Sequence, residues 1–200
     1  MRGVSNTSLR WFTGLVVLAT ATHGLLGCQS LPSRSASDRL DPRTGVTVST
    51  ADDVLVFART EGRYSRSARD YLYLGPVALN RQGLREYFLW VGVATTLDRG
   101  YLAPQREMPA TLHLMLHGEP MEFGLRPWDE IAPGLSANSS YETSVKLQRE
   151  LGVRVTRDQL RLLEEARAES LRSTDSQGGT KLYQAWRSQV HWSESLALGD

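Results

Sequence analysis

Apolar residues recur along most of the chain either at every second position or in short unbroken runs that turn residues separate. This pattern is typical of antiparallel β-strands, whose successive side chains point to opposite faces of a sheet. It predicts a first strand at 54–58 and a hairpin in which strands at 71–79 and 84–95 flank the turn 80–83. The strand at 84–95 is apolar on both faces, which predicts a central position in the sheet.

A proline and the later apolar runs refine this picture. Because Pro76 cannot donate a hydrogen bond to a neighbouring strand, we expect its strand to lie at an edge or to bulge beside Gly75. The remaining alternation predicts a second hairpin, a single strand and a third hairpin, at 111–117 with 121–125, 143–147, and 169–173 with 180–186.

The apolar period changes near residue 156, where a helix is predicted. Thr156 and Gln159 form a capping box, in which each side chain accepts a hydrogen bond from the backbone N–H of the other residue. Leu160 and Leu163 follow at helical spacing, so the sequence predicts a short helix over 156–166, and the apolar C-terminal tail leaves room for another. The expected fold class is α+β, a mostly antiparallel sheet forming a sandwich or a half-open barrel.

The N-terminal region has the order of an export signal, with Arg2 and Arg10 ahead of an apolar stretch over 11–27. A membrane-spanning helix needs about 20 mostly apolar residues, and this stretch is shorter and interrupted by polar ones. We therefore predict a signal peptide that is removed rather than a permanent span.

The end of this stretch resembles the lipobox of bacterial lipoproteins. Leu25, Gly27 and Cys28 match that motif position by position, while Leu26 stands where a smaller residue is common. The resemblance implies cleavage after Gly27 and lipid attachment to Cys28, the single cysteine of the chain. Because no Asp follows Cys28, it also implies delivery to the outer membrane rather than the inner one, facing the periplasm. Several acyl chains would hold a soluble domain there essentially permanently.

These features divide the chain into a signal peptide at 1–27, a lipidated cysteine with a flexible tether at 28–44, and one globular domain at 45–200. The formal net charge is +1, and removal of the signal leaves the mature chain near neutrality. The composition therefore lacks the basic footprint of a nucleic-acid-binding protein. Since the single cysteine would carry lipid, the fold must be stable without disulfides.

A row of possible metal ligands occurs in the second predicted hairpin. His113, Met115 and His117 would share one face of a strand, and imidazole and thioether both suit copper. At about 3.3 Å per residue the two histidines lie too far apart to share an ion, so at most one of them could act with Met115. A mixed, solvated face is the plainer interpretation, and no metal or other cofactor is predicted.

A locally basic stretch lies between the first two predicted strands and contains Arg59, Arg63, Arg66 and Arg69. Guanidinium groups bind phosphate with two parallel hydrogen bonds, so one hypothesis is contact with anionic headgroups or lipopolysaccharide. Glu61 dilutes the positive charge, and a solvated hairpin loop is the alternative.

The sequence gives little support for catalysis. Ser136 stands one residue short of a nucleophile elbow, because Asn138 replaces the second glycine, and glycine patterns for phosphates or dinucleotides are absent. We therefore expect a membrane-anchored envelope protein that acts as a non-enzymatic interaction or structural domain, with an envelope protein or lipid as its partner. The alternatives are a periplasmic hydrolase or transferase with its site on the long loop 127–141, and capture of a small molecule or metal.

Overall fold

Eleven antiparallel strands form one sheet in the part of the chain that the structure describes. The structure is a computed structural model and describes residues 37–61, 66–97, 108–133, 135 and 140–196, which belong to one folded unit. The strands are β1 (Ser37–Asp41), β2 (Val46–Thr50), β3 (Leu55–Thr60), β4 (Arg69–Arg81), β5 (Leu84–Thr95), β6 (Pro109–Leu116), β7 (Glu119–Gly124), β8 (Arg126–Pro127), β9 (Leu147–Val155), β10 (Ser170–Asp175) and β11 (Thr180–Arg187). The helices are α1 (Trp128–Ile131), α2 (Arg157–Glu165) and α3 (Trp192–Ser195).

The sheet curves into an almost closed barrel. Its strands follow one another in the order β6, β10, β11, β3, β4, β5 and β9. The segment 119–127 completes the ring, because β7 pairs with β6 while β8 pairs with β9. The predicted α+β class with a mostly antiparallel, half-open barrel is thus confirmed.

The strand β4 changes its partner on one side halfway along. Leu74 pairs with β3 and Val77 with β2, whereas β5 pairs along the whole of the other side. Pro76 lies between the two partners, and its carbonyl faces the gap that they leave. The expectation that this strand lies at an edge was wrong. β3 and β2 pair one after the other with the same side of β4, and Pro76 lies at the gap between them.

Two predicted hairpins are confirmed, and both contain two-residue turns. Gln82 and Gly83 connect β4 to β5 with φ of 52° and 92°, and His117 and Gly118 connect β6 to β7 with φ of 52° and 86°. Left-handed backbone at both turn positions matches the twist of the flanking strands, and glycine adopts it without steric cost. The third predicted hairpin is also present, as β10 and β11.

The predicted helix and its cap are confirmed. The backbone N–H of Gln159 donates to the Thr156 hydroxyl at 3.2 Å, and the Thr156 N–H donates to the Gln159 side chain at 2.8 Å. A C-terminal helix is present as the single turn α3. The Glu164 carboxylate accepts from the Ser193 backbone at 3.0 Å, which joins α3 to α2.

Two boundaries differ from the sequence expectation. The alternation at 143–147 predicted a strand there, but β9 begins only at Leu147 and runs to Val155. The tether predicted at 28–44 includes β1, which pairs with β2 from Ser37 opposite Thr50 to Asp41 opposite Val46. A polar edge strand is held by backbone hydrogen bonds and needs few apolar side chains, so composition alone did not indicate it.

The sheet carries a hydrophobic cluster on each face. The inner cluster fills the barrel and includes Phe57, Leu74, Val91, Leu114, Leu151 and Leu171. The outer cluster lies between the other face of β2 to β5 and the segment 128–147, and includes Val48, Val77, Phe88, Trp90, Trp128 and Tyr141. Packing on both faces makes β5 the central strand that its sequence predicted. None of the helices in the described ranges is both long and apolar enough to cross a membrane.

Candidate functional site

Trp186 is the aromatic side chain that stands out on the surface. It is 62 % exposed, whereas every other aromatic residue in the described ranges is buried or half-buried. Single exposed apolar residues are common, so exposure alone does not mark a site. The surroundings of Trp186 therefore decide its significance.

A β-bulge occurs at Trp186 in β11. Ala185 pairs with Phe57 and Arg187 pairs with Val56, so Trp186 is an extra residue opposite a continuous stretch of β3. Bulges bend a strand and turn side chains out of the regular alternation, and they occur often beside binding sites. Alternation from the inward-facing Tyr183 and Ala185 already places the indole on the outer face of the sheet, where it lies over β4.

Two residues of β4 hold the Trp186 ring in place. The guanidinium of Arg69 lies 5.2 Å from the ring centroid, and the ring of Tyr71 meets it edge-on at 6.4 Å. Arg69 also donates to the Thr60 hydroxyl at 3.2 Å, and Tyr71 stacks on Tyr73 at 6.0 Å. The indole is therefore oriented before any partner binds, which lowers the entropy cost of binding.

The outer face around Trp186 combines apolar and positively charged side chains. Leu182 is 51 % exposed and lies opposite Arg172 of β10. We refer to Arg69, Tyr71, Arg172, Leu182 and Trp186 as the Trp186 surface. Along β3, β10, β11 and the adjoining half of β4, the charged residues at outward positions are all arginines, namely Arg69, Arg172 and Arg187. Arg187 lies 3.5 Å from Asp53, so Arg69 and Arg172 carry the charge of this surface.

A polar network lies on the opposite, inner face. Arg59 of β3 contacts Glu61 and lies 3.3 Å from the Asp70 carboxylate, which also accepts from the Thr95 hydroxyl at 2.8 Å. The Arg59 Nε is buried without a hydrogen-bond partner in the described part of the chain. The network ties β3, β4 and β5 together at one end of the barrel.

Tyr183 lies beside this network and is almost completely buried. Burial raises the pKa of its hydroxyl to about 12, and the negative charge of Asp70 adds to the shift. A phenol with this pKa stays protonated at neutral pH and can donate a hydrogen bond, but it cannot act as a general base there. The Tyr183 hydroxyl is therefore a hydrogen-bond donor beside the network at neutral pH.

The four arginines of the predicted basic stretch do not share one surface. Arg59 faces the barrel interior and is bound to carboxylates, whereas Arg69 lies on the outer face against Trp186. Arg66 is exposed in the turn before β4, and Arg63 lies outside the described residues. Side chains alternate between the two faces of the sheet along β3 and β4. Arg59 pairs with Asp70 on the inner face, whereas Arg69 pairs with Thr60 on the outer face.

The three residues of the predicted histidine and methionine row do not all lie on one strand, because β6 ends at Leu116. His113 lies between Thr174, whose hydroxyl is 3.2 Å from Nε2, and Glu122, whose carboxylate is 3.6 Å from Nδ1. Met115 is exposed, and His117 belongs to the turn rather than to β6. Within the described ranges, no three His, Cys, Asp or Glu side chains are placed to hold a metal ion.

The long loop at 127–141 begins with β8 and α1 rather than with irregular chain. Trp128 and Ala132 pack into the outer cluster, and Tyr141 is buried at its far end. Ser136, the nucleophile candidate, lies outside the described residues, as do the predicted signal peptide and Cys28. Sequence reasoning missed Trp186 as a surface residue, since β11 has apolar residues on both faces and alternation could not tell inward from outward.

Comparison of the chain with known protein families, curated proteins and solved structures gave no match. The function must therefore be argued from the residues of this chain alone.

Proposed function

We propose that this protein is a lipid-anchored bacterial envelope protein, attached through Cys28 to the outer membrane and facing the periplasm. Its globular domain acts by binding and not by catalysis. The Trp186 surface is the region through which it contacts another component of the envelope.

The observation that carries this proposal is the fixed, exposed position of Trp186. A tryptophan that is 62 % exposed on the outer face of the sheet and held between Arg69 and Tyr71 has the composition of a binding hot spot. A side chain with only a structural role would gain more free energy from burial in the barrel. The lipobox at Leu25, Gly27 and Cys28 supplies the location.

Two measurements test the two parts of this proposal. Palmitate labelling tests the anchor: the wild-type protein should incorporate label and Cys28→Ser should not, and equal labelling of both would refute the anchor. Photo-crosslinking in intact envelopes tests the surface, with a photoreactive amino acid at position 186 or, as a matched control, at Leu84, which is 76 % exposed on the β4–β5 hairpin. We expect crosslinked products from position 186 alone, and equal yields from the two positions would contradict the assigned surface.

A further inference from the structure

We propose that the Trp186 surface lies against the anionic lipid surface of the membrane that carries the Cys28 anchor. This inference rests on the proposed function, and it specifies the partner as the anionic phospholipid headgroups of the membrane leaflet that carries the anchor. The domain would then be fixed in one orientation on the bilayer, with the outer face of β3, β4, β10 and β11 downward.

The apolar part of the surface suits the interface between water and hydrocarbon. Trp186 and Leu182 are more than half exposed on a sheet face, and the indole has both an apolar body and a polar N–H. Tryptophan is enriched at this depth in membrane proteins because its ring spans the headgroup region. A protein partner would also bury these residues, so charge must distinguish the two.

The charge of the surface complements an anionic bilayer. Arg69 and Arg172 flank the apolar residues, and the carboxylate of Asp175, the acidic residue at the end of β10, accepts hydrogen bonds from the backbone of the following turn. A guanidinium that stacks on an indole keeps in-plane N–H groups for phosphate oxygens. Each basic residue near an anionic membrane raises binding about fivefold at physiological ionic strength.

The anchor makes even weak docking effective. The chain from Cys28 to Ser37, where β1 begins, spans at most ~30 Å when fully extended. A lipidated domain on such a connection stays at a local concentration in the millimolar range relative to the bilayer surface. Two arginines and two apolar side chains would bind a protein without an anchor only weakly to the membrane. When the anchor is present, they are sufficient to orient the domain.

The experiment uses the mature lipidated protein in vesicles, with a nitroxide label at one chosen position. The collision rates of the label with the aqueous nickel complex NiEDDA and with oxygen are measured, and a label at the membrane collides less often with NiEDDA. Because the single natural cysteine would carry lipid, Leu182→Cys provides one reactive thiol, at which the apolar nitroxide side chain takes the place of the apolar leucine. Leu84→Cys provides the matched control at another exposed leucine. The mass of each preparation is measured first. In vesicles of phosphatidylcholine with one third phosphatidylglycerol, we expect the label at 182 to collide with NiEDDA at least threefold less often than the label at 84.

The charge contribution is tested with Arg69→Glu and Arg172→Glu combined, and with Arg161→Glu on α2 as a control reversal. The double variant should restore NiEDDA access at 182, whereas Arg161→Glu should leave it unchanged. Circular dichroism checks that each variant is folded, and Trp186→Ala serves as a second, charge-independent variant with the same expected loss of docking.

The outcomes separate this inference from the proposed function. A mass without lipid on Cys28 would refute the anchor itself. A lipidated protein whose labels at 182 and 84 are equally accessible would overturn membrane docking while the anchor stands. Equal protection at 182 in pure phosphatidylcholine would refute the role of anionic lipid, and protection found only in native envelopes would assign the surface to a protein partner instead.

Discussion

The hydroxyl of Tyr141 donates a hydrogen bond to the carbonyl of Pro76 at 2.5 Å, although the two residues are 65 positions apart in the chain. The same hydroxyl accepts from the backbone N–H of Ala51 at 3.2 Å. Tyr141 therefore occupies the gap along β4 between Leu74, which pairs with β3, and Val77, which pairs with β2. Burial raises the pKa of this hydroxyl far above its ordinary value, so it remains a donor at every physiological pH.

Removal of the Tyr141 hydroxyl should destabilise the protein. Tyr141→Phe leaves the Pro76 carbonyl and the Ala51 N–H buried without their partner, which costs about 1–3 kcal/mol of unfolding free energy. Urea denaturation gives this value directly. Tyr87→Phe is the matched control, because the half-buried Tyr87 hydroxyl forms no hydrogen bond within the described ranges, and its effect should stay within about 0.5 kcal/mol. Equal effects of the two substitutions would contradict the role assigned to Tyr141.

The absence of a side chain at Gly75 should contribute to the stability of the protein about as much as the Tyr141 hydroxyl does. A Cβ on Gly75 would lie 2.5 Å from the Tyr141 ring, whereas a Cβ on Gly124 of β7 would meet no atom within 4 Å. We expect Gly75→Ala to destabilise by about 1–3 kcal/mol, and Gly124→Ala to be neutral or slightly stabilising. Thermal unfolding compares the two. If truncation of Tyr141 to Ala does not reduce the cost of Gly75→Ala in a double-mutant cycle, the steric explanation fails.

Alkaline pH should destabilise the barrel through Tyr183. Its pKa rises from 10.0 to about 12 on folding, so above pH 10 the unfolded chain loses this proton while the folded chain keeps it. Stability from this group is complete below about pH 10 and then falls by up to ~1.4 kcal/mol per pH unit. Urea unfolding at about pH 9 and about pH 11 should show a smaller loss for Tyr183→Phe than for the wild type. An identical loss in both proteins would exclude Tyr183 as a cause.

The two C-terminal tryptophans should differ sharply in their contribution to stability. Trp192 is fully buried in the inner cluster and donates to the Asp53 carbonyl at 3.0 Å, whereas Trp186 is mostly exposed. Trp192→Ala should cost about 3–5 kcal/mol, and Trp186→Ala about 1 kcal/mol or less. Chemical denaturation measures both. A large cost for Trp186→Ala would indicate that this residue serves the fold and not a partner.

Features determined by neighbouring residues could be predicted from the sequence. Thr156 and Gln159 specify their capping box within four positions, and Gly83 specifies the turn between two apolar strands. Both signals act locally, so no knowledge of distant partners is needed. The alternation within each strand likewise identified most of the sheet.

Features that depend on distant pairing could not be predicted. Pro76 indicated a missing donor, but only the arrangement of β2 and β3 explains how a central strand tolerates it. The position of Trp186 beside Arg69 and Tyr71 depends on the pairing of β11 with β3 and of β3 with β4, which the sequence of β11 does not encode by itself. The Trp186 surface was therefore recognisable only in the structure, while the lipobox assignment remains a prediction from the sequence.

The pairing of β3 with β11 places almost the first and the last strands of the domain side by side. A chain still emerging from a ribosome or a secretion channel cannot complete this ring, because its closing strand is among the last segments to arrive. The ring can therefore close only after β11 has been synthesised, and a protein truncated before residue 180 would expose one unpaired edge of β3 to other chains.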